Sequence, residues 1–473
     1  MNFLSCRRPF PTLMALLLGI AVVLSAATGI GRADDSSLPA SVPVPAKPAR
    51  IRYEGTVWLE GHFRRPHETR PLHSMAIYVT DGKGRSRVDW TTWAEGDSAR
   101  VPETYLAVRE SVFHRDAPGG AWQLLAGESR RLGRLQAVAG IPSQLGRLAR
   151  LQERTGGSDF MFDGPRFTYT ERRAHPRLGD VIDSVAYTYE GLEVLPREAL
   201  VVVHERDSQW RLVEHVVGSP KQEFPESLLV SPASFEPPTA DADSLVGEPK
   251  IVPLAPGLWA AEMEDVDSRS MIVEFADHLA VIEFAVGSAN GERLADAARR
   301  QWPSKPIRYA LFSHHHPHYV GGVRAMIAEG ATVITTPGNE AYVREISGYP
   351  FESKPDRLAR KPRPVTIRTF ADRLELTDST NQLVAINYGK RSQHTDEFVV
   401  FWFPGAKLLF EAELGWVRAG GKLRASKRAA PLLAWLTEQK LDVDRIVQSW
   451  PMSGNEASQT RAELETLVKA AKR

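Results

Sequence analysis

A cluster of histidines directly after an apolar segment constrains this chain more than any other feature. Four of its 13 histidines lie in the run SHHHPHYVGG, from Ser313 to Gly322, and the apolar residues 309–312 before it are typical of a buried strand. A strand that ends in imidazoles and then turns on two glycines presents side chains at a sheet edge, and neutral imidazole is a good zinc ligand. The run therefore predicts a metal site; a solvated histidine-rich turn is the alternative.

A further histidine and an acidic residue follow later in the chain. His394 precedes the apolar segment Phe398–Phe403, and a second apolar segment between Lys407 and Leu414 includes Glu413. A lone histidine before a strand is more often structural than a ligand. The order of the segments, rather than His394 by itself, therefore has to decide its interpretation.

In that order the segments resemble the metallo-β-lactamase superfamily. Its members carry H-x-H-x-D-H-x-G-G after a strand, a His-Thr pair before a later strand, an acidic residue closing the next strand, and a final histidine. The resemblance covers roughly residues 250–460. It implies an α/β fold, an αββα sandwich, for the C-terminal half, and it implies that His314, His316 and His394 are the ligands of the first metal site.

At the positions of the family's second metal site, this chain departs from the family pattern every time. The residues at these positions are His318, Tyr319, Glu413 and Trp450. Imidazole and carboxylate still bind zinc, whereas an indole does not, and a phenol with a pKa near 10 rarely does. The loss is selective, so we expect one zinc ion; a metal-free protein that keeps the three histidines stays open as an alternative.

The resemblance also suggests roles in catalysis. His318 stands where the family has the aspartate that orients and deprotonates the attacking water, so it is a candidate general base, with Glu413 as a second candidate. Tyr319 is a candidate donor to a developing oxyanion, or simply packs. His315 lies on the opposite side of an extended segment and is interpreted as an outer neighbour of the site or as solvated.

Two functions of different class remain open from the sequence. One is an exported single-metal hydrolase that acts on an ester, amide, lactam, lactone or thioester. The other is a catalytically inactive protein that uses the same fold as a binding or assembly module. With 59 basic and 58 acidic residues and a formal net charge of +1, the chain offers no electrostatic case for a nucleic-acid partner.

The first 33 residues have the pattern of an export signal. Arg7 and Arg8 precede an apolar run from Leu13 to Leu24, and small residues follow it. We expect a periplasmic or secreted protein, exported by the general or the twin-arginine route, with an uncleaved N-terminal anchor as an alternative. The single cysteine, Cys6, precedes the apolar run, so a mature chain would have no thiol ligand or nucleophile.

The remaining sequence predicts two domains separated by a connector. A linker at 34–50 leads into a mainly antiparallel β domain at 51–218, and a proline-rich connector at 219–250 precedes the metallo-β-lactamase-like domain at 251–473. A covering helix is predicted over Leu132–Glu153. The role of the first domain stays open between substrate capture, partner docking and support. Its predicted strands are Ile51–Leu59, Ser74–Thr80, Tyr105–Phe113, Val181–Tyr189, Ala199–His204 and Trp210–Val217.

Overall fold

The computed structural model describes most of the chain from residue 48 onward. The described ranges are 48–60, 71–139, 158–163, 166–175, 177–188, 198–205, 208–216, 224–238, 246–415, 417–419, 422–423 and 428–471. The predicted export signal at 1–33 and the linker up to residue 47 lie outside them. Within these ranges no helix has both the length and the apolar character needed to span a membrane.

Strands make up most of the regular structure of the described residues. The strands are β1 Ala49–Glu60, β2 Pro71–Thr80, β3 Ser86–Ala94, β4 Val101–Val108, β5 Ser111–Arg115, β6 Gln123–Leu124, β7 Ser158–Asp163, β8 Arg166–His175, β9 Gly179–Thr188, β10 Glu198–Glu205, β11 Ser208–Val216, β12 Lys250–Ala255, β13 Leu258–Met263, β14 Ser268–Glu274, β15 Leu279–Ile282, β16 Ile307–Leu311, β17 Thr332–Thr335, β18 Thr366–Thr369, β19 Arg373–Thr377, β20 Gln382–Asn387, β21 Val399–Phe403, β22 Leu408–Glu411, β23 Val417–Arg418, β24 Lys422–Leu423, β25 Arg445–Gln448 and β26 Gln459–Thr460. The helices are α1 Gly127–Val138, α2 Ser288–Gln301, α3 Pro317–Val320, α4 Val323–Glu329, α5 Pro337–Ser347, α6 Arg357–Arg360, α7 Ala429–Glu438 and α8 Arg461–Ala471.

The first eleven strands form one antiparallel sheet, in the order β6-β5-β4-β3-β2-β1-β11-β10-β9-β8-β7. In β1, β2, β3 and β9 alternate side chains are buried, and helix α1 packs Leu135 and Val138 against them. The predicted antiparallel sheet with a covering helix is thus confirmed. The helix begins at Gly127 rather than at the predicted Leu132, and residues 140–157 lie outside the described residues.

A buried ionic network also connects helix α1 to this sheet. The two terminal nitrogens of Arg131 lie 2.9 Å from a carboxylate oxygen of Glu171 and 2.7 Å from one of Asp183. Asp183, which has no exposed surface, also pairs with Arg173 at 2.9 Å and with His204 at 3.0 Å. Each buried charge therefore has a partner of the opposite sign, as burial in a low-dielectric interior requires.

The strands from β12 to β26 form two mixed sheets and a small hairpin, β23–β24. The first sheet has the order β12-β13-β14-β15-β16-β17-β18 and becomes parallel from β15 onward, while the second has the order β19-β20-β21-β22-β25-β26. Along β14, Met271 and Val273 point into the core between the sheets, and Ile272 points toward the outer helices. This alternation makes two cores, one between the sheets and one beneath the helices.

Helices cover the outer faces of both mixed sheets. On the first sheet, α2 and α4 pack against each other, and on the second sheet α7 packs against α8. Leu294, Met326, Leu432 and Leu467 are among their fully buried side chains. The layers run helix, sheet, sheet, helix, so the αββα sandwich predicted for the C-terminal half is confirmed.

The turn between β8 and β9 contacts the sandwich directly. The backbone N–H of Asp180 donates to the carbonyl of Pro350 at 2.5 Å, and the carboxylate of Asp180 accepts from the N–H groups of Glu352 and Ser353 at 2.7 and 2.9 Å. The buried side chain of Leu178 belongs to the same apolar cluster as the helices of the sandwich. The turn thus contributes an apolar side chain to the core of the neighbouring region.

Candidate metal centre

The histidine run leaves the C-terminal end of strand β16 and turns sharply beneath the sheet edge. His316 precedes the short helix α3, whose first residue is Pro317. Gly321 and Gly322 follow, and a Cβ atom at either one would lie 2.2 Å from a backbone oxygen, that of Val286 or Phe284. The two glycines are needed because the chain passes this close to its neighbours, and the close approach fixes the position of the histidines.

The later segments are brought to the same edge by the pairing of the chain. The N–H of Val399, at the start of β21, donates to the carbonyl of Ser313 at 2.8 Å, so the loop that carries His394 lies beside the histidine run. Glu413 follows the end of β22, the next strand of that sheet. Residues distant in sequence therefore meet at one site, as is common at the strand ends of α/β folds.

Three imidazole nitrogens and one carboxylate oxygen converge at this site. Nδ1 of His316 lies 3.2 Å from Nε2 of His314 and 3.0 Å from Nε2 of His394. Oε1 of Glu413 lies 2.5 Å from Nε2 of His394 and 3.7 Å from Nε2 of His314, and all four atoms lie within 4.8 Å of one another. Zinc with bonds of 2.0–2.1 Å places its tetrahedral ligand atoms ~3.3 Å apart, so the donor set fits a small divalent cation.

His314 lies at the buried side of the cluster. Its side chain has no exposed surface, and its ring stacks on Phe398 at 4.8 Å. Burial, with the neighbouring imidazoles as a further cause, holds the pKa of His314 well below its usual value. Its Nδ1 lies 3.0 Å from Oγ of Ser313, an oxygen able to accept the ring proton and so leave Nε2 with its lone pair.

An arginine lies against the same cluster. Nη1 of Arg428 is 3.1 Å from Oε1 of Glu413, and Nη2 of Arg428 is 2.9 Å from Nδ1 of His394. Arg428 immediately precedes helix α7 and is about a quarter exposed. Arg428 was not predicted as part of the site, since an arginine before a helix belongs to no motif that marks a metal site.

His318 and Tyr319, two predicted catalytic residues, lie beside the cluster rather than in it. The ring of His318 packs against that of Trp450 at 5.0 Å. Tyr319 is buried 4.3 Å from the ring of His314, and its hydroxyl has no hydrogen-bond partner among the described residues. Burial and the nearby carboxylate of Glu413 raise the pKa of Tyr319 well above its usual value, so its phenol is neutral.

The histidine between the two converging ones points away from the ligand cluster. His315 is buried rather than solvated, with 1% of its surface exposed, and its ring lies 4.6 Å from that of His316. The hydroxyl of Tyr342, from helix α5, donates to the backbone oxygen of His315 at 3.1 Å. His315 therefore belongs to the packing around the site.

Two further carboxyl groups, Glu283 and Glu411, are completely buried near the cluster. The N–H of Ser313 lies 3.2 Å from Glu283, and the N–H groups of Leu414 and Gly415 lie 2.5 and 3.4 Å from Glu411. Burial raises the pKa of each to about 8, against the opposing effect of these hydrogen bonds. Neither residue was predicted as part of the site, because each lies at the end of an apolar strand.

Solved structures similar to this chain are metallo-β-lactamases, while no protein-family model matches it. A metallo-β-lactamase from Pontibacter korlensis is 17% identical over 48% of this chain and 100% of its own, with a TM-score of 0.35. The FIM-1 enzyme from Pseudomonas aeruginosa in its mono-zinc form is 18% identical over 48% and 96%, with a TM-score of 0.36. A metallo-β-lactamase from Hirschia baltica is 16% identical over 47% and 96%, with a TM-score of 0.34.

Proposed function

We propose that this chain, whose C-terminal half has the αββα metallo-β-lactamase-like fold, is a metal-dependent hydrolase that works with one ion. The observation that carries the proposal is the convergence of three imidazole nitrogens and one carboxylate oxygen on one point. Zinc suits the three imidazoles, which are among its usual ligands. A divalent ion held there would polarise a substrate carbonyl and lower the pKa of a nearby water molecule.

Within this proposal some side chains bind the metal ion and others transfer protons. His314, His316 and His394 hold the ion. Oε1 of Glu413 faces the nitrogens of His394 and His314, so Glu413 is placed to accept the proton of an attacking water. His318 packs on Trp450 outside the cluster and is the more distant base, and the neutral phenol of Tyr319 acts in packing or as a hydrogen-bond donor.

The chemistry of the site suggests a class of substrate, and the sequence suggests a location. An activated water beside a polarised carbonyl suits an ester, amide, lactam, lactone or thioester. The N-terminal pattern of Arg7, Arg8 and the apolar run favours export to the periplasm or beyond. The wide sheet formed by strands β1–β11 is available for capturing a substrate or partner.

A second candidate function is a non-catalytic binding module. It is favoured by the side chains at the positions where the family holds a second ion. Trp450 packs over His318, and Arg428 pairs with Glu413. The indole and the guanidinium therefore occupy the space in which His318 and Glu413 would bind a second ion. Under this alternative the three histidines remain from a metal site that no longer supports hydrolysis.

Metal content measured by mass spectrometry on the purified chain tests the proposal. We expect about one equivalent of zinc in the wild type and loss of the ion in His314→Ala and His394→Ala. His73→Ala removes a half-exposed histidine of the first sheet and serves as the matched control, which should retain the ion. About two equivalents would contradict the single-ion site, and no metal after reconstitution would contradict the enzyme.

A screen for hydrolysis separates the two candidate functions. The zinc-loaded chain should cleave at least one class among chromogenic esters, lactams and thioesters. Glu413→Gln should reduce kcat about 10²- to 10⁴-fold while the protein keeps its zinc, because the substitution removes the proton acceptor. A zinc-loaded chain that cleaves none of these classes would favour the binding module.

A further inference from the structure

We propose that Arg428 competes with the metal ion for the candidate site and weakens metal binding from within the protein. The inference rests on the proposed function in one respect, because it takes the three imidazoles to be metal ligands. It goes further by assigning a role to a residue that lies outside every predicted motif. The groups that face the outer nitrogens of the ligand histidines decide whether those histidines are ready to bind an ion.

A histidine that binds a metal through one ring nitrogen carries its proton on the other. That proton is normally donated to a carboxylate, a carbonyl or another oxygen, which fixes the tautomer and the orientation of the ring. His314 has this arrangement, because Oγ of Ser313 lies 3.0 Å from its Nδ1 and is able to accept. Its Nε2 is therefore left with a lone pair directed into the cluster.

His394 has the opposite arrangement. The group 2.9 Å from its Nδ1 is Nη2 of Arg428, and a guanidinium has five N–H donors and no acceptor. The hydrogen bond requires a lone pair on Nδ1, so the proton of the neutral ring resides on Nε2. Nε2 of His394 is hydrogen-bonded to Nδ1 of His316 at 3.0 Å, and Oε1 of Glu413 lies 2.5 Å away. The ligand atom of His394 is thereby engaged in a hydrogen bond within the protein.

The charge of Arg428 acts in the same direction as its hydrogen bond. The guanidinium stays protonated at all physiological pH values, and its Nη1 lies 3.1 Å from Oε1 of Glu413. A divalent cation held by the imidazoles beside that carboxylate would face a like charge only a few ångströms away. The guanidinium of Arg428 thus already provides the positive charge that a metal ion would otherwise provide beside the carboxylate and the imidazoles.

Metal binding consequently requires Arg428 to leave both partners. About a quarter of its side chain is exposed, so the guanidinium has a path toward solvent. The site then has two arrangements, in which either Arg428 or the metal ion lies against Glu413 and His394. Binding of the ion breaks the arginine contacts, and the free energy of those contacts lowers the affinity for the ion.

The affinity for zinc, measured by competition with a chromogenic chelator, tests this competition. Arg428→Met removes the charge and the donors while keeping a long side chain, and we expect zinc to bind at least about tenfold more tightly. Arg391→Met is the matched control, because Arg391 pairs with the exposed Glu438 of helix α7, and it should bind zinc like the wild type.

The outcomes distinguish this inference from the proposed function. Tighter binding by Arg428→Met, including binding by this variant alone, supports the competition. Equal or weaker binding by Arg428→Met overturns the competition while the metal site stands. Failure of the wild type and of Arg428→Met alike to bind zinc overturns both.

The tautomer of His394 gives a second test that needs no variant at Arg428. Long-range proton–nitrogen NMR on the metal-free full chain with ¹⁵N-labelled histidine reports which ring nitrogen is protonated, and His394→Gln identifies the signals. We expect the proton of His394 on Nε2 and that of His314 on Nδ1. A proton on Nδ1 of His394 would overturn the inference even if Arg428→Met failed to fold.

Discussion

The two large regions of this molecule bury carboxylates in opposite ways. In the first sheet, Asp183 is completely buried and pairs with Arg131, Arg173 and His204. Burial by itself would raise the pKa of Asp183. The hydrogen bond from His204 and the charges of Arg173 and Arg131 outweigh that effect and hold the pKa well below its usual range. This carboxylate is a component of the scaffold.

In the sandwich, Glu283 and Glu411 are as deeply buried but have no ion-pair partner among the described residues. Burial raises the pKa of both to about 8. Glu283 also has a positive φ of 64°, a conformation that costs energy for a residue with a Cβ. Uncompensated acids and backbone strain collect beside functional sites, whereas the first sheet neutralises its charges. The comparison separates a region whose buried carboxylate is compensated by ion pairs from one whose buried acids lie uncompensated beside the candidate metal site.

The largest expected effect on stability tests the ionic network around Asp183. Asp183→Asn keeps the shape of the side chain but leaves Arg131 and Arg173 without their shared counter-charge. We expect a loss of ~3–5 kcal/mol in the free energy of unfolding, since breaking a buried pair leaves a buried charge uncompensated. Urea unfolding at pH 7 measures it. Asp277→Asn, which affects an exposed pair with Arg308, should leave that free energy nearly unchanged.

A smaller effect on stability, of opposite sign, tests the buried glutamates of the sandwich. The pKa of Glu283 is raised from 4.5 to about 8, so the folded state holds a proton that the unfolded state releases between these values. Stability is therefore greatest below pH 4.5 and falls as the pH rises toward 8. Glu283→Gln should remove the part of this fall that Glu283 causes, leaving the part that Glu411 causes, and be more stable than the wild type by roughly 2–4 kcal/mol at pH 8. Urea unfolding at pH 5, where the two should nearly coincide, provides the control; an equal difference at both pH values would refute the assignment.

Zinc binding should produce the smallest effect on stability, and it should act through the site in the sandwich. A ligand that binds only the folded state at a hundredfold excess over its Kd stabilises by about 2.7 kcal/mol. We expect such a gain for the wild type and for His73→Ala but not for His314→Ala, measured as thermal unfolding with and without zinc. Stabilisation of His314→Ala by zinc would place the ion elsewhere.

The sequence was sufficient to predict which histidines converge but not the groups around them. His314 and His316 alternate along an extended segment, so their side chains share a face, and the resemblance placed His394 beside them. Arg428 follows His394 by 34 residues and reaches it through the packing of helix α7, which no local pattern records. Glu413 was expected as a base, and its closeness to the imidazoles depends on how the strand end is oriented.

Strands β1, β2, β9, β10 and β11 of the first sheet were predicted, whereas β3 was missed although Val88 and Trp90 are buried on its inward face. Strand β8 was missed because its inward positions hold Tyr169, Glu171 and Arg173, residues that periodicity assigns to a solvent-facing surface. The segment Tyr105–Phe113, predicted as one strand, is a hairpin of β4 and β5 that turns at Arg109, where φ is 54°. Tertiary ion pairs and a left-handed arginine override the local signals at these places.

The contact between the β8–β9 turn and the sandwich affects how the gene can be divided. Leu178 lies in the apolar cluster of the sandwich, and at Gly179 a Cβ atom would lie 1.9 Å from the carbonyl of Pro350. A truncated gene that begins at residue 251 would encode a sandwich with a hole at the position of Leu178 and an uncovered loop at Pro350. The two halves are therefore expected to be inherited, expressed and recombined as a single unit.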